Sequence, residues 1–371
     1  MWRPTWAEVD LGALKRNVRR LRSLAKVPLM FVVKADGYGH GAVRVARAAL
    51  TQDGLWGLGV SSVEEGAVLR EAGVKARILI LGSLYPFEST LAALHYGLTP
   101  TVASLDGARR IHLAARGLRG GDRRRLPLSC HLKIDTGMGR VGVRWPAGRE
   151  VVEYLLGAEG VRLEGIFTHL ARAEDSAAFT RLQLGRFARA VREAEALGAR
   201  FKWRHAANSA GTLLWPQSRW DLARPGLAAY GLWEGFEPVL SLKTRVVFLK
   251  NVPRGTPLGY GGLFRTRRLS RIATLPIGYG DGVPRAVSTG LRRASVLVRG
   301  RRCPLAGALS MDMAMVDVTG VPGVSVGDEA VLVGRSGAEE QTAADLARTA
   351  GTIPYEIVAG LTARVPRLYK E

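Results

Sequence analysis

The stretch Phe31-Val-Val-Lys-Ala-Asp-Gly-Tyr-Gly-His-Gly41 contains an apolar run, then a lysine, then a glycine-rich turn. The apolar run predicts a buried strand that ends at Lys34, and the glycines allow a tight turn that comes close to a ligand. Burial disfavours an ammonium ion, and a neutral lysine amine can condense with an aldehyde. Tyr38 adds a hydroxyl to the turn. The stretch predicts either a site of covalent chemistry or a loop whose lysine faces solvent.

The order of an apolar run followed by an amphipathic segment repeats from residue 28 to about residue 230. We predict eight strands, at residues 29–34, 55–60, 78–81, 98–102, 128–134, 163–169, 203–207 and 222–230. Eight repeats of strand then helix in this length favour a closed (β/α)8 TIM-type barrel over an open doubly wound sheet. We expect this α/β barrel to form one domain, residues 1–238.

Two of the intervening segments carry clear helix signals. Residues 62–72 begin with Ser62, and Glu65 stands three positions on, as in a capping box. Another segment has one apolar face, formed by Leu184, Phe187, Val191 and Ala194. Gly198 then ends that helical pattern.

The sequence pattern changes after Pro238. Short strands separated by Gly and Pro are predicted at residues 240–249, 270–277, 294–298, 313–318 and 329–333, with one helix at residues 342–350. A chain of 371 residues is also too long for one ordinary core. We therefore expect a second, mainly-β domain at residues 239–371.

The chain is strongly basic. Lys and Arg number 54 against 32 acids, which gives a formal charge of +22. Such an excess suits nucleic acid when it is gathered on one face, but only Arg123-Arg-Arg125 and pairs near Arg267 and Arg301 form short clusters. We expect an arginine-rich solvated surface that attracts anionic small molecules, and no nucleic-acid partner.

Cysteine content and hydropathy indicate the compartment. Cys130 and Cys303 cannot form a disulfide framework and lack metal-ligand spacing, so we expect a reducing compartment and no metal. The amino-terminal residues lack the pattern of a secretory signal, and no apolar run approaches the roughly 18 residues of a membrane span. We therefore expect a cytoplasmic protein without a membrane partner.

Polar residues follow several of the predicted barrel strands. In a TIM-type barrel the carboxyl ends of the strands meet at one face, which carries the chemistry. We expect the following residues to converge there: Lys34, Tyr38, Lys133, Asp135, Arg140, His169, Asn208, Ser209 and the segment 224–226. Taken singly, His169 would be interpreted as a structural histidine and Arg224 as a helix-facing cation.

Nine short motifs are spread along the chain. They are Val33-Lys-Ala-Asp-Gly-Tyr-Gly-His-Gly41, Lys133-Ile-Asp-Thr-Gly-Met-Gly-Arg-Val-Gly142, Thr168-His-Leu-Ala171, His205-Ala-Ala-Asn-Ser209, Arg224-Pro-Gly226, Leu258-Gly-Tyr-Gly261, Ile277-Gly-Tyr-Gly-Asp-Gly282, Ser310-Met-Asp312 and Arg364-Val-Pro-Arg367. In these motifs and in their order the chain resembles the alanine racemase family, which uses pyridoxal phosphate. The resemblance covers essentially the whole chain.

The resemblance implies a two-base racemisation of L-alanine and D-alanine that supplies D-alanine for peptidoglycan. Lys34 would hold pyridoxal 5'-phosphate covalently and act as the base on one face of the substrate. The second base would be Tyr260, supplied by the other subunit of a head-to-tail homodimer. The positions that match phosphate ligands are Tyr38, Ser209, Gly226 and Tyr355.

The resemblance assigns further roles around these bases. His169 and Arg224 would connect to the second base, and Arg224 would also face the cofactor's pyridine nitrogen. Arg140, near the cofactor's phenolic oxygen, and Met311 match positions around the substrate carboxylate. Lys133 would either carry a carbamate that fixes Arg140 or pair with Asp135. Tyr279, Ser310 and Asp312 match residues that line the access channel of the other subunit.

Three alternatives remain at this point. A pyridoxal-phosphate decarboxylase of basic amino acids would need an acid at the pyridine nitrogen, where Arg224 stands. A racemase of broader substrate range would share most of the motifs. A pyridoxal-phosphate-binding homeostasis protein would share the barrel but lack the second domain. Racemisation of alanine is the function that the sequence favours.

Overall fold

The computed structural model describes residues 2–118, 126–290 and 293–371. The predicted basic cluster Arg123-Arg-Arg125 lies outside the described residues. The chain forms two compact units. The first, called the β unit here, consists of Met1–Arg16, Tyr38–Gly41 and Tyr230–Glu371, and the second, the barrel unit, consists of Asn17–Gly37 and Ala42–Ala229. The division at residue 238 stays a prediction.

The first 230 residues alternate strands and helices. The strands are β1 Thr5–Asp10, β2 Leu29–Val32, β3 Leu55–Val60, β4 Ile78–Ile80, β5 Thr101–Val102, β6 Leu128–Lys133, β7 Val161–Phe167 and β8 Trp203–His205. The helical segments are α1 Leu11–Ala25, α2 Lys34–Tyr38, α3 Ala42–Leu50, α4 Val63–Glu71, α5 Phe87–His95, α6 Leu105–Gly117, α7 Gly148–Gly157, α8 Ala177–Ala196 and α9 Ser209–Leu214.

The later residues are mainly strands. They comprise β9 Leu240–Arg245, β10 Phe248–Val252, β11 Pro257–Leu258, β12 Phe264–Arg265, β13 Ser270–Leu275, β14 Ser295–Val298, β15 Arg301–Pro304, β16 Ala314–Asp317, β17 Glu329–Ser336, β18 Glu339–Gln341 and β19 Arg367–Lys370. The helices are α10 Ala286–Thr289, α11 Ala343–Ala350 and α12 Pro354–Ala359.

Parallel strands close the barrel unit into a ring. β2, β3 and β4 pair in one parallel sheet, and β5 to β8 pair in another. A parallel bridge between Leu79 and Thr99 joins the two sheets on one side. Most residues of these strands are buried, as expected for parallel strands covered on both faces. The predicted α/β barrel is confirmed.

The eighth predicted strand, residues 222–230, was wrong as a continuous strand. Only Ala223 forms a ladder bridge, to Leu29, yet this short contact closes the ring. Met30 N–H donates to the Ala223 carbonyl on one side, and Arg224 N–H donates to the Ala207 carbonyl on the other. Pro225 has no N–H to continue the ladder. Pro100 similarly limits β5 to two residues.

Of the two helices predicted in detail, α8 has the expected buried face, whereas α4 forms without the expected capping box. α8 buries the apolar face that contains Phe187 and Val191, and Gly198 follows its end with a positive φ of 101°. Ser62 does precede α4, but its side chain makes no capping hydrogen bond. The predicted capping box was therefore wrong, because the Glu65 carboxylate bonds elsewhere, to the backbone N–H groups of Ala35 and Ser61.

The β unit is built on a mixed sheet with the order β15-β14-β17-β9-β1-β19. The predicted strand at residues 240–249 splits into β9 and β10, because Val246 N–H bonds to Asp328 while Val247 N–H bonds to Thr274, in a different sheet. The helix predicted at residues 342–350 is present, with Thr342 and Asp345 in a reciprocal capping box. The helices α10 and α12 and the strands β1, β11, β12, β15, β18 and β19 were missed.

Candidate active site

Lys34 lies where β2 gives way to a left-handed turn. Ala35, Asp36 and Gly37 have φ values of 51°, 52° and 62°, so the chain reverses directly after the lysine. The Lys34 side chain is partly buried. Burial, reinforced by the nearby Arg140, lowers the pKa of Lys34, and only Glu65 opposes that shift among its charged neighbours. The lysine therefore has an increased neutral fraction, as predicted from its position at a strand end.

Lys133 lies at the end of β6 and is more deeply buried than Lys34. Burial lowers its pKa to about 8, and Arg140, Arg224 and Lys34 add to the effect. Its ammonium donates to the Leu81 carbonyl at 3.1 Å. The alternative pairing with Asp135 is not among its hydrogen bonds, since that carboxylate accepts from the N–H groups of Gly137 and Gly139. The site is thus rich in cations.

Arg224 is buried and donates three hydrogen bonds. Its guanidinium bonds to Nδ1 of His205 at 2.8 Å and to the carbonyls of Thr168 and Ala206. Burial lowers its pKa to about 9, so it stays protonated at neutral pH. The imidazole in contact with Arg224 is therefore that of His205; no such bond joins His169 to Arg224. The connection of His169 and Arg224 to the second base stays a prediction.

The Arg224 contact fixes the protonation of a buried histidine pair. An arginine only donates, so His205 Nδ1 must accept and its proton lies on Nε2. That Nε2 bonds to Nδ1 of His131 at 2.8 Å. Burial lowers the pKa of His131 to about 3 and that of His205 well below its usual value. Both rings are therefore neutral, and the His131 proton lies on Nε2, which has no partner among the described residues.

His169 follows β7 and is held through its backbone. Burial lowers its pKa to about 3, with Arg224 and Arg140 adding to the shift, so the ring is neutral at pH 7. The fully buried Gln183 of α8 donates to the His169 carbonyl at 3.1 Å and accepts from the Ala171 N–H at 2.8 Å. It also donates to the hydroxyl of Thr136. Sequence reasoning missed Gln183, because helical periodicity marks its position as core and gives no sign of the loops it binds.

Ser209 and Gly226 lie together in the barrel unit. The Ser209 hydroxyl accepts hydrogen bonds from the N–H groups of Gly226 at 3.1 Å and Ala228 at 3.3 Å. Asn208 caps α9 by accepting from the Gly211 N–H at 2.8 Å. The structure therefore brings the Ser209 hydroxyl together with the backbone N–H groups of Gly226 and Ala228, and their role as phosphate ligands stays a prediction.

Tyr38 and Tyr355 lie together in the β unit. Their ring centroids are 6.0 Å apart, and the Tyr38 ring also packs against Tyr230 at 4.8 Å. Tyr355 lies on α12 rather than after the last helix. A Cβ on Gly39 would collide with the Val358 carbonyl of α12, so glycine is required for this close approach.

The β unit also gathers the residues predicted to line a channel. Tyr279 N–H donates to the Ser310 carbonyl, and Gly280 N–H donates to the Met311 carbonyl. Arg364 pairs with Asp312 at 2.6 Å and with the buried Asp281 at 3.4 Å. A Cβ on Gly280 would collide with the Arg364 guanidinium. Arg364 was present in a quoted motif, but the sequence did not indicate that it bridges two acids.

Tyr260 contrasts with these packed residues. It lies on a 3-10 turn, Tyr260–Gly262, and 72% of its side chain is exposed. Met311 is also half exposed. Both side chains are therefore accessible from outside the chain.

The fold and site define a class of enzyme: a TIM-type barrel with a lysine of lowered pKa and further cations at the strand ends, followed by a mainly-β domain. Sequence models of the alanine racemase family match both parts of the chain, the N-terminal domain at residues 9–234 and the C-terminal domain at residues 239–369. The chain belongs to the alanine racemase family.

Individual relatives support this assignment. The chain is 48% identical to an alanine racemase of Symbiobacterium thermophilum, over 99% of this chain and 97% of the relative. It is 41% identical to one of Desulfovibrio desulfuricans, over 100% and 99%. The solved alanine racemase from D-cycloserine-producing Streptomyces lavendulae has a TM-score of 0.92 at 35% identity, covering 100% of this chain and 98% of that one.

No helix within the described ranges has the length and apolar character needed to span a membrane. No group of three or more His, Cys, Asp or Glu side chains in those ranges is arranged to hold a metal ion. Cys130 and Cys303 are both free and buried.

Proposed function

We propose that this protein interconverts L-alanine and D-alanine with pyridoxal 5'-phosphate, and that the D-alanine supplies peptidoglycan. The observation that carries the proposal is the partly buried Lys34, whose lowered pKa favours the neutral amine that such chemistry needs. Family membership supports the same reaction. We propose residues 1–238 as the cofactor domain and residues 239–371 as the domain that provides the second base.

The residues present fit an anionic aldehyde cofactor. Arg140 contributes to the lowered pKa of Lys34, and Arg140, Arg224 and Lys34 contribute to the lowered pKa of Lys133, so these neighbouring cations favour an anion among them. The Ser209 hydroxyl and neighbouring backbone N–H groups are suitable phosphate donors. We propose Ser209 and Gly226 as phosphate ligands, and by resemblance Tyr38 and Tyr355.

The protein's part in the reaction is to move a proton at the substrate α-carbon. When bound, the cofactor withdraws electron density from that carbon and so acidifies its proton. We propose that the Lys34 amine takes or returns the proton on one face. Tyr260 of the partner subunit would serve the opposite face, which agrees with the exposure of this side chain in a single chain. A homodimer is then required for activity.

The Arg224 side chain donates hydrogen bonds in this site and cannot accept them. Three of its five N–H groups bond to His205, Thr168 and Ala206, and the other two can likewise only donate. Because arginine cannot accept a proton, the cofactor nitrogen that it faces would stay unprotonated. Arg224 would thereby favour prompt return of the proton over side reactions. His169, neutral at pH 7, is proposed as the hydrogen-bond partner of the second base.

Lys133 is proposed to carry a carbamate. With a pKa of about 8, roughly a tenth of its amine is neutral at pH 7 and can add to CO2, forming an N–C bond and releasing a proton. The product replaces a cation beside Arg140 with an anion. Under 13C-labelled CO2 we expect a carbamate NMR signal that disappears in Lys133→Met; its absence from the wild-type protein would contradict the proposal.

Arg140 and Met311 are proposed to contact the substrate carboxylate, and Tyr279, Ser310 and Asp312 to line the channel by which it enters. The main alternative is a racemase of broader range. The test is the turnover of L-alanine compared with L-serine, L-lysine and L-arginine by chiral chromatography, with Lys34→Ala as control. We expect a clear preference for alanine and no turnover in the variant. Equal rates on basic amino acids would favour the alternative.

A further inference from the structure

The turn after Lys34 has an energetically unfavourable backbone. Ala35 and Asp36 both adopt left-handed torsions, with φ of 51° and 52°. Each such residue other than glycine costs roughly 1–2 kcal/mol. Two side-chain contacts stabilise the turn. Asp36 Oδ1 accepts from the Ala42 N–H at 2.8 Å, and Glu65 Oε1 accepts from the Ala35 N–H at 2.7 Å.

Glu65 connects two neighbouring strand ends. Its second oxygen, Oε2, accepts from the N–H of Ser61, which follows β3, at 2.7 Å. β3 pairs in parallel with β2, so one carboxylate joins the carboxyl ends of both strands. Both bonds are short and charge-assisted, which makes them stronger than neutral ones. Both oxygens of the Glu65 carboxylate thus accept hydrogen bonds from the lysine turn and the end of β3, and not from the start of α4.

Glu65 also affects the charge of the lysine. The charged or titratable groups that act electrostatically with Lys34 are Arg140, Lys133, His169 and Glu65. Of these, only Glu65 is an acid. Burial and Arg140 lower the pKa of Lys34, and the Glu65 carboxylate raises it. Removing the carboxylate should therefore lower this pKa further.

We propose that Glu65 is a positioning residue for Lys34: its carboxylate holds the left-handed turn against the end of β3 and sets the electrostatic environment of the amine. This inference rests on the proposed function, in which Lys34 is the reactive amine. Glu65 acts through Lys34 and the Ala35 backbone, not by contact with substrate.

The test compares Glu65→Gln with Glu64→Gln in the full-length enzyme. Glu64 is the preceding residue of α4 and is exposed, and it makes no bond to Ala35, so its variant removes the same charge from the same helix. The first measurement is hydrogen exchange of the Ala35 amide, which needs no activity. Glutamine has a single acceptor oxygen for two N–H groups. We expect faster exchange in Glu65→Gln and wild-type exchange in Glu64→Gln.

The second measurement is kcat as a function of pH. We expect Glu65→Gln to lower kcat about tenfold or more, since misplacement of a reacting group by about 1 Å costs up to roughly 100-fold. We also expect the acidic limb of its profile to move to lower pH, because the amine loses its proton more readily. Glu64→Gln should show neither change.

Each outcome decides the proposal. The proposal is supported if Glu65→Gln shows both faster Ala35 exchange and an acidic limb at lower pH, while Glu64→Gln shows neither. Identical behaviour of the two variants, or faster exchange with an unmoved limb, overturns it. If Glu65→Gln does not fold, Glu65→Asp replaces it: the shorter carboxylate should speed Ala35 exchange while the limb moves less. Failure of the wild-type enzyme to racemise alanine would contradict the proposed function instead, and the exchange measurement would still test the turn.

Discussion

Arg224 illustrates how a single side chain organises the site. Its guanidinium donates in one plane to His205 and to two backbone carbonyls. Lysine keeps the charge but lacks the planar fork, so it cannot reach all three acceptors. We expect Arg224→Lys to lower the free energy of unfolding by about 2–3 kcal/mol and to slow racemisation by about tenfold or more. Urea unfolding and steady-state kinetics measure the two effects; wild-type values in both would show that charge alone suffices.

His131 makes stability depend on pH. Its folded pKa of about 3 lies below its unfolded value of about 6.5, so its contribution is complete above pH 6.5 and declines as the pH falls. His131→Asn keeps an acceptor for the His205 N–H and removes one titrating group. We expect the slope of unfolding free energy against pH, between pH 4.5 and 6, to decrease by about 1.4 kcal/mol per unit. An unchanged slope in urea titrations would mean that this histidine is protonated in the folded state.

At the scale of elements, α8 joins two loops of the barrel face through Gln183. The side chain binds both sides of the His169 loop and the hydroxyl of Thr136, next to Asp135. Gln183→Leu keeps the approximate volume but leaves buried N–H and C=O groups unpaired. We expect a loss of about 2–3 kcal/mol in unfolding free energy together with a lower kcat. Exposed Gln217 provides a control, since Gln217→Leu should change neither quantity.

Elements with a strong local pattern were predictable, and those decided by tertiary contacts were not. The apolar face of α8 and the Thr342 cap of α11 are encoded within a few residues. The reduction of the eighth strand to Ala223 depends on its neighbours and on Pro225, and the split between β9 and β10 depends on partners at Thr274 and Asp328. Backbone pairing between residues far apart in the chain leaves no periodic pattern in the sequence.

Contacts within the candidate site were likewise predictable only where a local sequence motif marks them. Lys34, Ser209 and Arg224 could be found because they follow strands in recognisable motifs, and the structure places them in one unit. The partner of Arg224 could not be assigned from sequence, since His205 ends β8 and His169 lies just beyond the end of the neighbouring β7. Only coordinates distinguish which ring meets the guanidinium. Glu65 was assigned to the wrong contact because its local spacing matches a cap equally well.

For the molecule as a whole, the proposed mechanism requires that two chains each provide one base to the same active site. Lys34→Ala and Tyr260→Phe remove different bases, so each homodimer should be inactive. Mixing them by denaturation and renaturation should form hybrid dimers in which one site is intact, giving roughly a quarter of wild-type activity for random pairing. Native mass spectrometry verifies the exchange. Hybrid dimers without activity would show that the two bases do not come from different subunits.

The chain has a net charge of +22, in which the acids that pair with arginines are already counted. Many arginines are neutralised locally, as in the pairs Arg16–Glu237 and Arg204–Asp221. Such exposed pairs add little stability, about 0–1 kcal/mol each. They agree with a solvated arginine-rich surface, and the absence of a nucleic-acid partner stays a prediction.

The central claim is that Lys34 is the residue that holds the cofactor. The most direct measurement is to reduce the protein with borohydride in the presence of pyridoxal phosphate, digest it and identify the modified peptide by mass spectrometry. The account predicts one stable pyridoxyl group per chain, on Lys34, and none in Lys34→Ala. Modification of Lys133 in place of Lys34, or of no lysine at all, would contradict it.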